Sequence, residues 1–176
     1  MKCSNIKTRH ITMLGIMLAM ITVLSALEHS LPPVPGLPPG LRLGLANIVS
    51  MYAVFSVGRR QAILLTALKS FFVMTTRGTL AGLLSFSGGM LAILGIIALS
   101  LLLGAGVTYL ALSITGAILH NIGQIAVASA ILGLSGTLVL MYLPLLIAAG
   151  AAAGVVTGTL LRVVMPLFDR WNNQVG

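Results

Sequence analysis

Long apolar runs alternate with short polar or glycine-rich segments along most of this chain. A helix needs about 20 apolar residues to cross a bilayer, and six of the runs approach or reach that length. A proline-rich segment ends the first run, and Gly58-Arg59-Arg60 ends the second. The pattern predicts six helical spans, at about 11–27, 43–57, 61–75, 88–103, 108–132 and 137–161.

The later spans are harder to separate, because the chain from Gly78 to Leu161 contains no Lys, Arg, Asp or Glu. Clusters of small residues therefore have to mark the turns. The glycine- and serine-rich segment from Gly78 to Gly89 is predicted to be the turn between the third and fourth spans. The next two turns are predicted near 104–106 and 133–136.

The composition agrees with a membrane location for the whole chain. Of the 176 residues, 58% are hydrophobic and 7% are charged, against roughly 25% charged in a soluble domain. The sequence therefore predicts an all-α integral membrane protein, with one transmembrane domain over residues 1–176. Its one cysteine, Cys3, excludes an internal disulfide.

The net charge of +8 would suit a nucleic-acid-binding protein, but the positions of the charges argue against one. Basic residues lie mainly near the ends of the chain and in one short connection, as the positive-inside rule describes. We therefore expect a multi-pass protein of the cell membrane with both termini cytoplasmic and no nucleic-acid partner. The residues that carry this pattern are Lys2, Lys7, Arg9, Arg59, Arg60, Arg162 and Arg170.

The loop between the first two spans, residues 28–42, holds five of the seven prolines. Proline fixes an extended backbone and disfavours helix, so residues 31–40 are predicted to form a stiff external strap. Such a strap can hold Glu28, His29 and Arg42 in fixed positions. We interpret it as one face of a small binding pocket within the membrane.

Two further cations, Lys69 and Arg77, lie eight residues apart and so share one side of a helix. A cation inside a span is costly and usually faces protein or water with a partner. With Arg42 they could form an anion site, because Glu28 is the one acid on that side of the membrane. The alternative is that Lys69 snorkels to the interface and Arg77 is a loop charge.

A second polar group, His120, Asn121 and Gln124, lies in the middle of the fifth span. His120 and Gln124 are four residues apart, so they share a helix face. The group either completes a binding site or hydrogen-bonds only to neighbouring helices. The three histidines are scattered and the chain has two acids, so no metal site is expected.

Small residues at intervals of four provide smooth helix faces in two spans. Gly150, Gly154 and Gly158 are expected to pack inside the protein. Gly15 and Ala19, in the first span, could dock a partner protein.

Three segments together resemble the Gx transporter family, also known as heptaprenyl diphosphate synthase component I. They are LEHSLPPVPGLPPGLRLGLANI from Leu27, GAILHNIGQ at 116–124 and YLPLL at 142–146. These proteins are similar to the substrate-binding S components of energy-coupling-factor (ECF) transporters. The resemblance implies an S-component-like bundle and one ligand site under the first external loop. It also implies that helix one meets a coupling subunit through Gly15 and Ala19. The site residues that it implies are Glu28, Arg42, Asn47, His120, Asn121 and Gln124.

The expected function is the substrate-binding component of an ECF-type uptake transporter for an anionic, partly apolar small molecule. Its partners would be a coupling subunit and ATPases, and it would need no cofactor. A non-catalytic membrane subunit for a soluble polyprenyl diphosphate synthase is the alternative, and a purely structural bundle is a third. Synthesis of a prenyl diphosphate normally needs clustered aspartates that hold magnesium, and Asp169 is the single aspartate. We therefore expect no enzyme activity.

Overall fold

The structure is a computed structural model that describes residues 2–30 and 45–174, and these residues form six α-helices. The proline strap and Arg42 lie outside the described residues. The all-helical architecture predicted from the sequence is confirmed. The helices are α1 (Lys2–Ser30), α2 (Leu45–Ser56), α3 (Arg59–Arg77), α4 (Thr79–Leu103), α5 (Tyr109–Leu132) and α6 (Gly136–Gln174), with a short 3-10 turn at Gly104–Gly106.

Four helices are long and apolar enough to cross a membrane, so the chain is a multi-pass membrane protein. The apolar helix α2 is shorter, and α3 carries the buried charged residue Lys69. The four candidate spans are Ile11–Glu28, Thr79–Leu103, Tyr109–Leu132 and Gly136–Val163.

The predicted turn over residues 78–89 is wrong, because α4 begins at Thr79 and runs through this segment. The turn is Gly78 alone, whose φ of 95° is in the region that favours glycine. The glycines that follow serve helix packing instead. A Cβ at Gly88 would lie 2.7 Å from the carbonyl oxygen of His120, and one at Gly123 would lie 2.7 Å from that of Ser87. Close approach of α4 and α5 therefore needs glycine on both helices.

Glycines also allow close contact between α5 and α6, as the spacing of Gly150, Gly154 and Gly158 predicts. A Cβ at Gly154 would lie 2.5 Å from the Cα of Ile114, and one at Gly158 would lie 3.1 Å from the Cα of Leu110. These contacts confirm that the glycine face of α6 is internal. Helices α4, α5 and α6 thus form a block in which neighbouring backbones are in near contact.

Helices α1, α2 and α3 pack against one another, and α2 also contacts α4 and α6. The buried face of α1 includes Met17, Ile21 and Ser25. Its opposite face exposes Gly15 and Ala19, and a Cβ at Gly15 would meet nothing within 4 Å. The two faces of α1 are therefore different, with one turned to the bundle and one to the surroundings.

Candidate functional site

Side chains from five helices line a cavity of about 110 Å³, which we call the charged cavity. Six of the predicted site residues line it, and they come from α1, α2, α3 and α5. These six are Glu28, Asn47, Lys69, Arg77, His120 and Gln124. The remaining lining residues are Ser25, Val73, Ala81, Leu84 and Ser85.

Lys69 is the most deeply placed cation of this cavity, with 6% of its surface exposed. Its ammonium Nζ donates a hydrogen bond to Oδ1 of Asn47, at 2.8 Å. The negative charge of Glu28 also attracts the ammonium group, while the positive charge of Arg77 repels it. A buried ammonium needs such partners, so Lys69 is tied to α1 and α2 and does not snorkel away from the protein.

Arg77 follows Lys69 on the same side of α3, with Val73 between them at the same four-residue spacing. The Arg77 guanidinium donates a hydrogen bond to the backbone carbonyl of Ser25 on α1. Glu28 lies one turn beyond Ser25 and is buried on the same cavity wall. The cations of α3 therefore hold the end of α1 against the bundle.

His120 and Gln124 line the charged cavity from α5, which has no charged residue, and they lie one helical turn apart. The backbone of Gly88 on α4 gives them room, since a Cβ there would lie 2.8 Å from Cγ of Gln124 and 3.0 Å from Cε1 of His120. The His120 ring interacts with the backbone of Gly88, while its buried atom Nδ1 forms no hydrogen bond with a described residue.

Asn121 is separated from its sequence neighbour His120, because consecutive residues of a helix point about 100° apart. Its amide Nδ2 donates to the carbonyl oxygen of Leu146 on α6, at 2.9 Å. Asn121 therefore clamps α5 to α6 and does not line the charged cavity.

Asn121 instead lines a second cavity of about 30 Å³, which we call the neutral cavity. Asn47 and His120 line both cavities and so form the partition between them. The polar residues that line the neutral cavity are Asn47, Ser50, Thr66, Ser113, His120, Asn121 and Thr157.

The hydroxyl residues of both cavities were missed by the sequence reasoning. A single serine or threonine in an apolar span often satisfies its hydroxyl within its own helix, so its presence is a weak signal. A lysine and an arginine in an apolar chain, Lys69 and Arg77, are a much stronger signal. Among the described residues, no three potential metal ligands of the His, Cys, Asp and Glu types lie together.

Comparison with known proteins now adds to this geometry. The family model for heptaprenyl diphosphate synthase component I matches residues 17–164. A solved structure of the S component of a bacterial ECF transporter is similar, with a TM-score of 0.60 at 22% sequence identity. That match covers 96% of this chain and 98% of the other chain. No curated protein matches the chain. The resemblance drawn from the three sequence segments is confirmed, and so is the S-component-like fold.

Proposed function

We propose a function for this chain, which belongs to the heptaprenyl diphosphate synthase component I family. In this proposal it is the substrate-binding membrane component of an ECF-type uptake transporter. The charged cavity is the observation that carries this proposal. It gathers two cations, one acid and five neutral polar side chains inside a bundle of membrane helices. Charged side chains at such depth are costly and usually serve a substrate or ion.

The ligand in this proposal is an anionic, partly apolar small molecule. Lys69 and Arg77 outweigh Glu28 by one positive charge among the described residues of the cavity. A positive field in a poorly hydrated site attracts carboxylate or phosphate groups. Val73, Ala81 and Leu84 give the same cavity an apolar wall. Arg42 would add a further cation when the proline strap covers the ligand.

Transport in this proposal depends on partner proteins, and the chain itself hydrolyses nothing. A membrane coupling subunit would dock on α1 through Gly15 and Ala19, which are exposed on the face opposite Ser25 and Glu28. ATPases would then drive the movement that delivers the ligand to the cytoplasm. Both termini would be cytoplasmic in the cell membrane, as the basic residues at the ends suggest.

The alternative is a non-catalytic membrane subunit that holds a soluble polyprenyl diphosphate synthase at the bilayer. The family description favours this alternative. It gives no role, however, to a buried lysine and a half-buried arginine that line one small cavity. A purely structural bundle explains them even less well, since an apolar pair would pack at lower cost.

The proposal can be tested by native mass spectrometry. The full chain is purified gently from its own membrane, and the intact assembly is measured. We expect a membrane coupling subunit and nucleotide-hydrolysing ATPases in the complex. Ala19→Leu should reduce the amount of these partners in the complex, while Ala126→Leu, on an exposed position of α5, should leave it unchanged. A complex that contains a soluble polyprenyl synthase in place of the ATPases would contradict the proposal and support the alternative.

A further inference from the structure

Two residues that line the neutral cavity each have a buried polar atom that the described residues leave without a hydrogen bond. The two atoms are Oγ of Ser50, on a side chain that is 2% exposed, and Nδ1 of His120. Both side chains line this cavity. A buried polar group without a partner is costly, so such an atom is normally paired with protein, water or ligand.

The other hydroxyls of the cavity make Ser50 an exception. Thr66 donates to the carbonyl of Ala62 at 2.8 Å, and Ser113 and Thr157 share a hydrogen bond of 2.6 Å. These hydroxyls satisfy themselves within the protein, as is usual in apolar helices. Ser50 is therefore a hydroxyl residue of the cavity lining whose oxygen has no partner among the described residues.

The size of the cavity limits what can enter. A volume of about 30 Å³ accommodates one or two groups of the size of water, for which roughly 10–15 Å³ each is enough. A ring or an isoprenoid unit would not fit. A hydroxyl fits in size, and it can donate and accept at once, which a carbonyl oxygen cannot.

The neutral cavity also lies next to the proposed anion site. Asn47, which accepts the hydrogen bond from Lys69, lines both cavities, and so does His120. An anion bound at Lys69 is thus one side chain away from Ser50. A short carbon chain that passes between Asn47 and His120 could join the two places.

We propose that the neutral cavity is a hydroxyl-binding subsite, so that the ligand is a hydroxyl-bearing organic anion. Its anionic group lies at Lys69 and Arg77, and its hydroxyl hydrogen-bonds with Ser50 Oγ and His120 Nδ1. This inference rests on the proposed anion site and deepens it, because it specifies which class of anion binds.

Two matched probes test the subsite on the full-length protein in detergent: propyl phosphate, and hydroxypropyl phosphate with a terminal hydroxyl. Isothermal titration should give about tenfold tighter binding of hydroxypropyl phosphate, the gain expected from about one net hydrogen bond. Ser50→Ala removes one of the two partners of the hydroxyl and should clearly reduce this preference. Thr66→Val is the control, because its hydroxyl lines the same cavity but is already satisfied. That variant should keep the tenfold preference.

Three results would overturn the subsite. Equal affinities of the unaltered protein for the two probes would do so while leaving the anion site intact, and this test needs no variant to fold. An undiminished preference in Ser50→Ala would do the same. If neither probe binds, the anion site proposed for the charged cavity fails and the subsite fails with it.

Discussion

The two halves of the bundle reach their structures by opposite means. Helices α4 and α5, and α6 as far as Leu161, contain no charged residue and pack through glycines that bring backbones into near contact. Helices α1, α2 and α3 carry Glu28, Lys69 and Arg77 and are tied together by polar contacts. The charged cavity lies where the halves meet, so one half supplies charge and the other supplies neutral hydrogen-bonding groups at fixed positions.

Removing the main cation should produce the largest change. Lys69→Met keeps the length of the side chain but removes one charge-assisted hydrogen bond to the ligand, worth about 1.5–3 kcal/mol. We expect the affinity for hydroxypropyl phosphate to fall by about 10- to 100-fold in isothermal titration. Arg60→Met, on the same helix but exposed, is the matched control and should bind as the unaltered protein does. Equal affinities of the two variants would show that the charged half does not bind the anion.

A methyl group in the glycine-packed half should destabilise the fold. Gly154→Ala places a Cβ 2.5 Å from the Cα of Ile114, so the helices must move apart at a cost of about 1–3 kcal/mol. We expect a lower melting temperature of the detergent-solubilised protein. Gly15→Ala is the control, since its Cβ meets nothing within 4 Å and it gains the same helix propensity. The packing account is wrong if the two variants melt alike.

The outer face of α1 should affect assembly without affecting the ligand. Ala19→Leu enlarges an exposed position on the face opposite the cavity, and overpacking at a helix interface costs about 1–3 kcal/mol. We expect about tenfold weaker association with the coupling subunit and unchanged binding of hydroxypropyl phosphate. Ala126→Leu on α5 tests whether any added bulk has this effect. Reduced ligand binding in Ala19→Leu alone would mean that the two faces of α1 are not independent.

A neutral side chain from the glycine-packed half should contribute least to the binding of the ligand. Gln124→Ala removes at most about one net hydrogen bond, worth about 0.5–1.5 kcal/mol, from the part of the cavity lining that α5 supplies. Titration should show about fivefold weaker binding of hydroxypropyl phosphate. Gln61→Ala lies outside both cavities and should have no effect. A loss as large as that of Lys69→Met would overturn the division between the halves.

The charged half was easier to predict from sequence than the neutral half. Lys69 and Arg77 stand out in an apolar chain, and their spacing places them on one helix side, which the shared cavity agrees with. Glycine is ambiguous, since it marks turns in one context and close helix contacts in another. For this reason the sequence predicts a turn over residues 78–89, whereas the structure is helical from Thr79 onward.

Helix rotation explains the other differences. His120 and Asn121 are adjacent in sequence, but the structure places one at the partition of the cavities and the other against α6. Ser50 gave no signal, because its importance depends on what the hydroxyls around it already bind. The binding role of each site residue stays a prediction, and Arg42 lies outside the described residues.

The most direct test of the central claim is native mass spectrometry of the unaltered protein and Lys69→Met, both purified gently from their own membrane. We predict that the unaltered protein carries a small organic anion together with ATPase subunits, and that Lys69→Met keeps the subunits but has lost the anion. The same anion in both proteins, or an empty protein bound to a soluble synthase, would contradict the account.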